Sequence, residues 1–315
     1  MLRRFIGRLF GQMLDVLSRL VRLSANTWAS SIAIWERGDF LEPLPPVSHH
    51  VHVEPWVKLD DVEMEHPLEK YIEHDTLPLP SKCDREGYHG DRHYDYWVSG
   101  LKDYLRIKQI LVRYGTSLGG PAAVLDFGCA SGRVLRHFLC HEPGTEIWGT
   151  DVNFRHIEWI RKFLGPSPRV FQNSLLPHLP LEDHSMSLVY GLSVFTHIDQ
   201  FELAWLYEIR RILKPGGIAY LTVHTDHTWS ILGPKHMLYR DLIQAKHLGL
   251  SPETFKKPMP GERIVFRWPH GNVSAHKVFL SIGYIRDSWQ RCLDVLEVIR
   301  EGSDYQDVIV LRKRA

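Results

Sequence analysis

From residue 122 onward the chain alternates short unbroken apolar runs with longer segments whose apolar residues recur at three- and four-residue spacing. The runs predict strands buried on both faces, and the periodic segments predict amphipathic helices. Strands are expected at 122–127, 146–151, 169–172, 187–192, 218–223, 293–299 and 308–312. Helices are expected at 133–139, 153–164, 201–213 and 276–289, with another at 101–114 ahead of the first strand. Regular alternation of this kind points to an α/β fold.

Residues 1–23 follow helical periodicity on their own. Leu2, Phe5, Ile6, Leu9, Met13, Val16, Leu17 and Leu20 form one stripe, with Arg3, Arg4, Arg8, Gln12, Asp15, Arg19 and Arg22 opposite. Five arginines against one aspartate make the polar face basic. No uncharged run approaches the roughly 20 residues that span a bilayer, and the arginines interrupt any secretory core. Such a helix suits the plane of an anionic membrane surface. Packing on the protein's own domain or on a partner subunit, or organelle targeting, fits the same pattern. The helical pattern extends to 28–35. Four prolines at 42–55 predict an extended, solvated loop that includes His49, His50 and His52. The expected organisation is an extension over 1–80 and one domain over 81–315.

Composition narrows the function classes. The 315 residues are 44% hydrophobic and 24% charged, ordinary for a globular protein. A formal net charge of +1 leaves no bulk attraction to nucleic acid. Cys83, Cys129, Cys140 and Cys292 are scattered without CxxC spacing, which fits free thiols in the cytoplasm. The 19 histidines form no metal-binding spacing, and no metal is expected.

The chemistry begins at residues 122–133, AAVLDFGCASGR. A strand ending in Asp126 runs into five small residues, Gly128 to Gly132, and then into a helix. Small residues let backbone N–H groups approach a ligand, and a helix N-terminus adds free donors. Asp126 would face the crevice where open α/β sheets bind ligands. A second acid, Asp151, ends the next strand 25 residues later, where nucleoside-binding α/β folds hold ribose hydroxyls. Asp151 could instead cap the helix that follows.

This arrangement resembles the class I S-adenosylmethionine-dependent methyltransferases, whose first motif reads acid, any residue, Gly-x-Gly-x-Gly. Gly128 and Gly132 hold the outer positions, and Ala130 replaces the middle glycine. The run EIRRILKPGGIAYLTVH at 208–224 and the SVFTH run at 193–197 extend the resemblance, the latter to a bacterial-type subgroup with Gln306–Asp307 before the last strand. It covers about 85–228 well and 275–315 fairly. It implies a Rossmann-like, seven-stranded, mostly parallel sheet with an antiparallel last strand and helices on both faces. It also implies S-adenosyl-L-methionine as cofactor.

Residue by residue, the resemblance assigns the cofactor to Asp126, Gly128, Cys129, Ala130, Gly132, Asp151, Val152, Asn173, Ser174, Leu175 and Ser193. Asn173 stands where an acid often meets the adenine amine, and its amide oxygen can accept the same bond. Ser187 stands where many relatives carry an acid. The aromatic segment 87–100 is expected as a lid, with Tyr94, Trp97, Ser99 and Gly100 as contacts. His197 is the nominee for general base, because imidazole titrates near neutral pH; hydrogen bonds that shape its loop are the alternative role. His224 and His227 are second choices, and His224–Asp226–His227 is weighed as a metal site and set aside. An insertion at 228–275 is expected to form the acceptor pocket, with Trp229, Tyr239, Arg240 and Trp268 as contacts.

The expected activity is methyl transfer to an oxygen or nitrogen of a small-molecule or saccharide-type acceptor, without nucleic acid. Two rivals remain. A nicotinamide oxidoreductase is disfavoured because GCASG lacks GxGxxG spacing. A non-catalytic scaffold would act through the basic helix at a membrane or partner.

Overall fold

A computed structural model describes residues 43–314, apart from 119–120 and 269–275. The helix expected at 1–23, its extension at 28–35 and the end of the insertion expected at 228–275 lie outside the described residues.

The chain enters through β1 (Leu44–Pro46), which pairs antiparallel with β2 (Pro78–Leu79); α1 (Leu68–His74) lies between them. The expected solvated loop is thus partly ordered: a 3-10 turn over Val47–His49 buries Val47, and the His50 ring lies edge-on to His93 at 5.1 Å. The long helix α2 (His93–Arg113) follows. Next come β3 (Ala123–Phe127), α3 (Leu135–His141), β4 (Glu146–Asp151), α4 (Phe154–Phe163), β5 (Arg169–Gln172) and β6 (Met186–Gly191). Then come α5 (Glu202–Ile212), β7 (Leu213–Thr225), α6 (Asp226–Ile231), α7 (Met237–Gln244), β8 (Arg263–Phe266) and β9 (Lys277–Leu280). The chain closes with α8 (Ile282–Ser288), β10 (Asp294–Ser303) and β11 (Gln306–Arg312).

The main sheet runs β10-β11-β7-β6-β3-β4-β5. Its pairings are parallel except those of β11, which is antiparallel to both neighbours. This is the expected seven-stranded, mostly parallel sheet with an antiparallel last strand. The β8–β9 pair extends it, β9 lying parallel to the end of β7 through His224↔Phe279 and Thr225↔Leu280. Strand residues alternate between two cores. Val124, Leu188, Tyr190 and Tyr220 join Trp97, Phe138 and Ile157 on one face. Leu125, Val189, Ala219 and Leu221 join Leu206, Ile209 and Trp289 on the other. Chain order reverses between β3 and β6, so the crevice opens beyond the carboxyl ends of β3, β4 and β6.

Two segments differ from expectation. The run expected as a helix at 276–289 begins as β9: Val278 and Phe279 are β-favouring and pair with β8, and Val278 N–H also donates to Thr196 at 2.9 Å. Ser281 then caps α8, its hydroxyl accepting from Tyr284 N–H at 3.0 Å. Residues 93–100 of the aromatic segment expected as a lid form the opening turns of α2. Trp97 is fully buried, and its indole N–H donates to Asp75 at 2.6 Å. Asp75 also forms a bidentate pair with Arg136 at 2.7 and 2.8 Å, both side chains fully buried. Burial pushes Asp75 up, but the Arg136 charge and hydrogen bonds outweigh it and hold the carboxyl down at about 2. This pair ties α1 to α3, the helix that follows the small-residue turn.

Candidate active site

The turn after β3 is built on left-handed backbone. Gly128, Ala130 and Gly132 have φ of 82°, 44° and 80°. Glycine adopts this region freely and alanine does so at a cost. The bend turns successive amides towards the end of β4. Gly128 and Cys129 N–H donate to Thr150 O at 2.8 and 3.0 Å, and Ala130 N–H donates to the Asp151 carboxylate at 2.9 Å. A Cβ on Gly128 would lie 2.4 Å from Val194 Cγ2, so the SVFTH loop closes directly over the turn.

Asp151 is nearly buried. Its other oxygen accepts Asn153 N–H at 2.8 Å, while Asn153 itself caps α4 by accepting Arg155 N–H at 3.0 Å. Each carboxylate oxygen therefore retains a lone pair. Val152 and Leu175 are 46% and 51% exposed beside it. Asn173 Oδ1 accepts the Thr150 hydroxyl at 3.0 Å, and its N–H2 donates to Ser174 O at 2.9 Å. Burial pushes Asp126 up to about 7, opposed by the Tyr190 phenol beside it and then by Arg133.

The loop after β6 is pinned from three sides. Ser193, at φ 59°, donates its N–H to Thr222 at 2.6 Å and accepts Gln306 Nε2–H at 2.7 Å. Thr196 O accepts from β9. His197 Nδ1 donates to His276 O at 2.7 Å, which leaves Nε2 as the lone-pair nitrogen. Burial, with Lys277 adding to it, pushes His197 down to about 4.

Residues 125–221 match the methyltransferase domain family. The chain carries a class I S-adenosylmethionine-dependent methyltransferase domain. A demethylmenaquinone methyltransferase of Chlamydia trachomatis is 28% identical over 130 residues, 40% of this chain and 55% of that protein. The human thiol S-methyltransferase TMT1B is 26% identical over 160 residues, 45% of this chain and 59% of that protein. The chain thus spans little more than half the length of these relatives. Among solved structures, a methyltransferase from Aquifex aeolicus is 16% identical, with 65% of this chain and 88% of that one covered and a TM-score of 0.41. One from Methanosarcina mazei is 20% identical, with 65% and 97% covered and a TM-score of 0.44.

The methyltransferase domain's cofactor is S-adenosyl-L-methionine, and the donor set fits it. A ribose diol needs an acceptor with free lone pairs, which Asp151 keeps. An adenine needs exposed apolar flanks, which Val152 and Leu175 provide. A cationic ligand needs an acid, and Asp126 lies at the strand end beneath the turn.

Other expected contacts are not brought to this crevice. Trp97 has no exposed surface and Tyr94 is 7% exposed, both packed on α2's core face. The Ser99 hydroxyl donates to Tyr96 O at 2.8 Å. Gly100 packs so closely that a Cβ would stand 2.1 Å from Arg133 O, which makes it a packing residue. Trp229 and Tyr239 are buried in the satellite core with Phe255, Phe266 and Phe279, the Trp229 N–H donating to Lys257 O at 2.9 Å. Arg240 is exposed, and Trp268 packs on His247 at 5.8 Å. His227 pairs with Glu301 at 2.9 Å. Among the described residues no group of three His, Cys, Asp or Glu is arranged around a metal.

The sequence reading missed the segment that does press on the turn. Asp84 forms a two-point ion pair with Arg155 at 2.8 and 3.2 Å, its carbonyl accepts the Ser131 hydroxyl, and Glu86 accepts from the Asn153 side-chain amide Nδ2 at 2.8 Å. Its only sequence signal was a cluster of charges before the aromatic run.

Proposed function

We propose that this protein transfers the methyl group of S-adenosyl-L-methionine to an oxygen or nitrogen nucleophile on a small-molecule acceptor, a saccharide hydroxyl among the options. One observation carries the reading most. Asp151 is held at the end of β4 by Ala130 and Asn153 amides, with lone pairs left for a ribose and the left-handed turn beside it. The substrates in the relatives' names, a demethylmenaquinone and a thiol, are small molecules and support an acceptor of that size.

The cofactor supplies an electrophilic methyl group on a cationic sulfur. The chain's residues bind it, orient it and take up one proton. Asp151, Val152, Asn173, Ser174 and Leu175 would hold the nucleoside end, and Asp126, Gly128, Cys129, Ala130, Gly132 and Ser193 the other end. An O–H or N–H nucleophile loses its proton as the new bond forms. His197 and His224 each donate Nδ1–H to a carbonyl, at 2.7 and 3.3 Å, and so present Nε2 as the proton acceptor. Their lowered basicity keeps them neutral, and positioning supplies the rest of the acceleration.

The test is S-adenosylhomocysteine release from protein, cofactor and an acceptor library. Acceptor-dependent release that disappears in Asp151→Ala supports the reading. Cofactor binding with no release from any acceptor class would favour the non-catalytic scaffold.

A further inference from the structure

Beyond the cofactor turn, the carboxyl ends of β7 and β9 enclose polar atoms that the fold leaves without partners. His224 is 2% exposed, and its Nε2 is buried without a hydrogen bond. Both ring nitrogens of His236, between α6 and α7, are buried and unbonded. Tyr305 joins the two: its ring stacks on His224 at 5.8 Å and meets His236 edge-on at 4.6 Å. Buried polar atoms without partners are costly, so a cluster of them marks a place where something else supplies the bonds.

Lys277 completes the cluster. It opens β9 two residues before Phe279, so both side chains share one strand face, and the Phe279 ring lies 5.0 Å from His224. The Lys277 charge acts on both His197 and His224. Lys277 is partly buried, and its ammonium makes no hydrogen bond or ion pair among the described residues. The acid whose charge acts on it, Asp241, is exposed and not in ion-pair contact. Burial lowers the ammonium's pKa, as expected of a cation without a counter-ion. The imidazoles around it stay neutral, which leaves one uncompensated positive charge in the pocket.

We infer that the acceptor carries an anionic oxygen group close to the atom that is methylated, and that Lys277 is its counter-ion. This rests on the proposed methyl transfer and narrows its substrate class. The chemistry is complementary. Lys277 and one His236 nitrogen donate to the acid, and the Nε2 atoms of His197 and His224 accept from the neighbouring nucleophile. A carboxylate or a phosphate monoester satisfies the same set.

The test uses full-length protein with and without S-adenosylhomocysteine, and two matched probe pairs. Salicylate is compared with salicylamide, and glucose 6-phosphate with glucose, by calorimetry. The wild type should prefer at least one anionic probe by about tenfold, and the pair that shows it identifies carboxylate or phosphate as the group recognised. Lys277→Gln should abolish that preference and Lys277→Arg should keep most of it. Equal binding within both pairs, no binding of any anionic probe, or a preference that survives Lys277→Gln overturns the inference. Failure of S-adenosylhomocysteine to bind counts separately, against the methyl-transfer reading. Thermal unfolding of Lys277→Met supplies a second readout. It keeps the aliphatic stem and removes an unpaired charge, so its midpoint should equal or exceed the wild type's. A lower midpoint would make Lys277 structural and contradict the assignment.

Discussion

Replacing Arg136 with methionine isolates Asp75 in the protein interior. The two side chains are fully buried and joined by two hydrogen bonds, with Trp97 as a third partner. Methionine fills much of the arginine's volume, so the loss is chiefly electrostatic. Leaving one partner of a buried pair uncompensated costs about 3–5 kcal/mol. The pH dependence makes the argument sharper. The folded Asp75 carboxyl sits at about 2 against an ordinary value of 3.8, a difference that contributes about 2 kcal/mol at neutral pH. Because the folded value is the lower one, that contribution is present above the unfolded value and is lost as the pH falls through the folded value. In Arg136→Met burial dominates and raises Asp75, so protonation relieves the interior charge. Urea unfolding followed by tryptophan fluorescence should show a deficit that is largest near neutrality and shrinks on acidification. A deficit below about 1 kcal/mol, or one that does not change with pH, would refute this reasoning.

Further expectations follow from single distances and charges. Gly100→Ala places a Cβ 2.1 Å from the Arg133 carbonyl and should destabilise the protein by about 3 kcal/mol in denaturant unfolding; a change under about 1 kcal/mol contradicts the close packing of α2. Gly128→Ala combines a φ of 82° with a contact at 2.4 Å to Val194, and should weaken S-adenosylhomocysteine binding at least about tenfold by calorimetry. Asp126 is raised to about 7 by burial, so its stabilising contribution is full below its unfolded value and declines as the pH rises towards 7. Asp126→Asn should flatten that decline in thermal unfolding, and an unchanged pH profile would contradict the raised value. His197→Ala should lower kcat by about 10²-fold with little change in cofactor KM; a loss of only a few-fold would assign His197 to loop shape.

The turn at 128–132 was legible because its signal is local. An apolar run, an acid and five small residues allow few backbone paths, and Asp151 recurs one strand later. The mostly parallel sheet with its antiparallel last strand was legible through the resemblance, and β3, β4, β5 and β11 lie within a residue or two of expectation. The start of α2 at His93 and the strand β9 were not legible, for a shared reason. The aromatic spacing of 93–100 and the apolar spacing of 276–289 fit more than one local structure, and tertiary partners decide between them. Asp75 and Arg136, separated by 61 positions, draw Trp97 inward. The end of β7 recruits Val278 and Phe279 as a strand. The Lys277, His224 and His236 cluster was hidden because its members come from three elements with no common motif.

The central claim is that the Asp126–Gly132 turn and Asp151 hold S-adenosylmethionine. Calorimetric titration of S-adenosylmethionine and S-adenosylhomocysteine into the wild type and Asp151→Ala tests it directly. The account predicts binding in the micromolar range for the wild type and a loss of at least about 100-fold in the variant, with the variant still folded by circular dichroism. No binding of either ligand to the wild type, or equal binding by the folded variant, would contradict it.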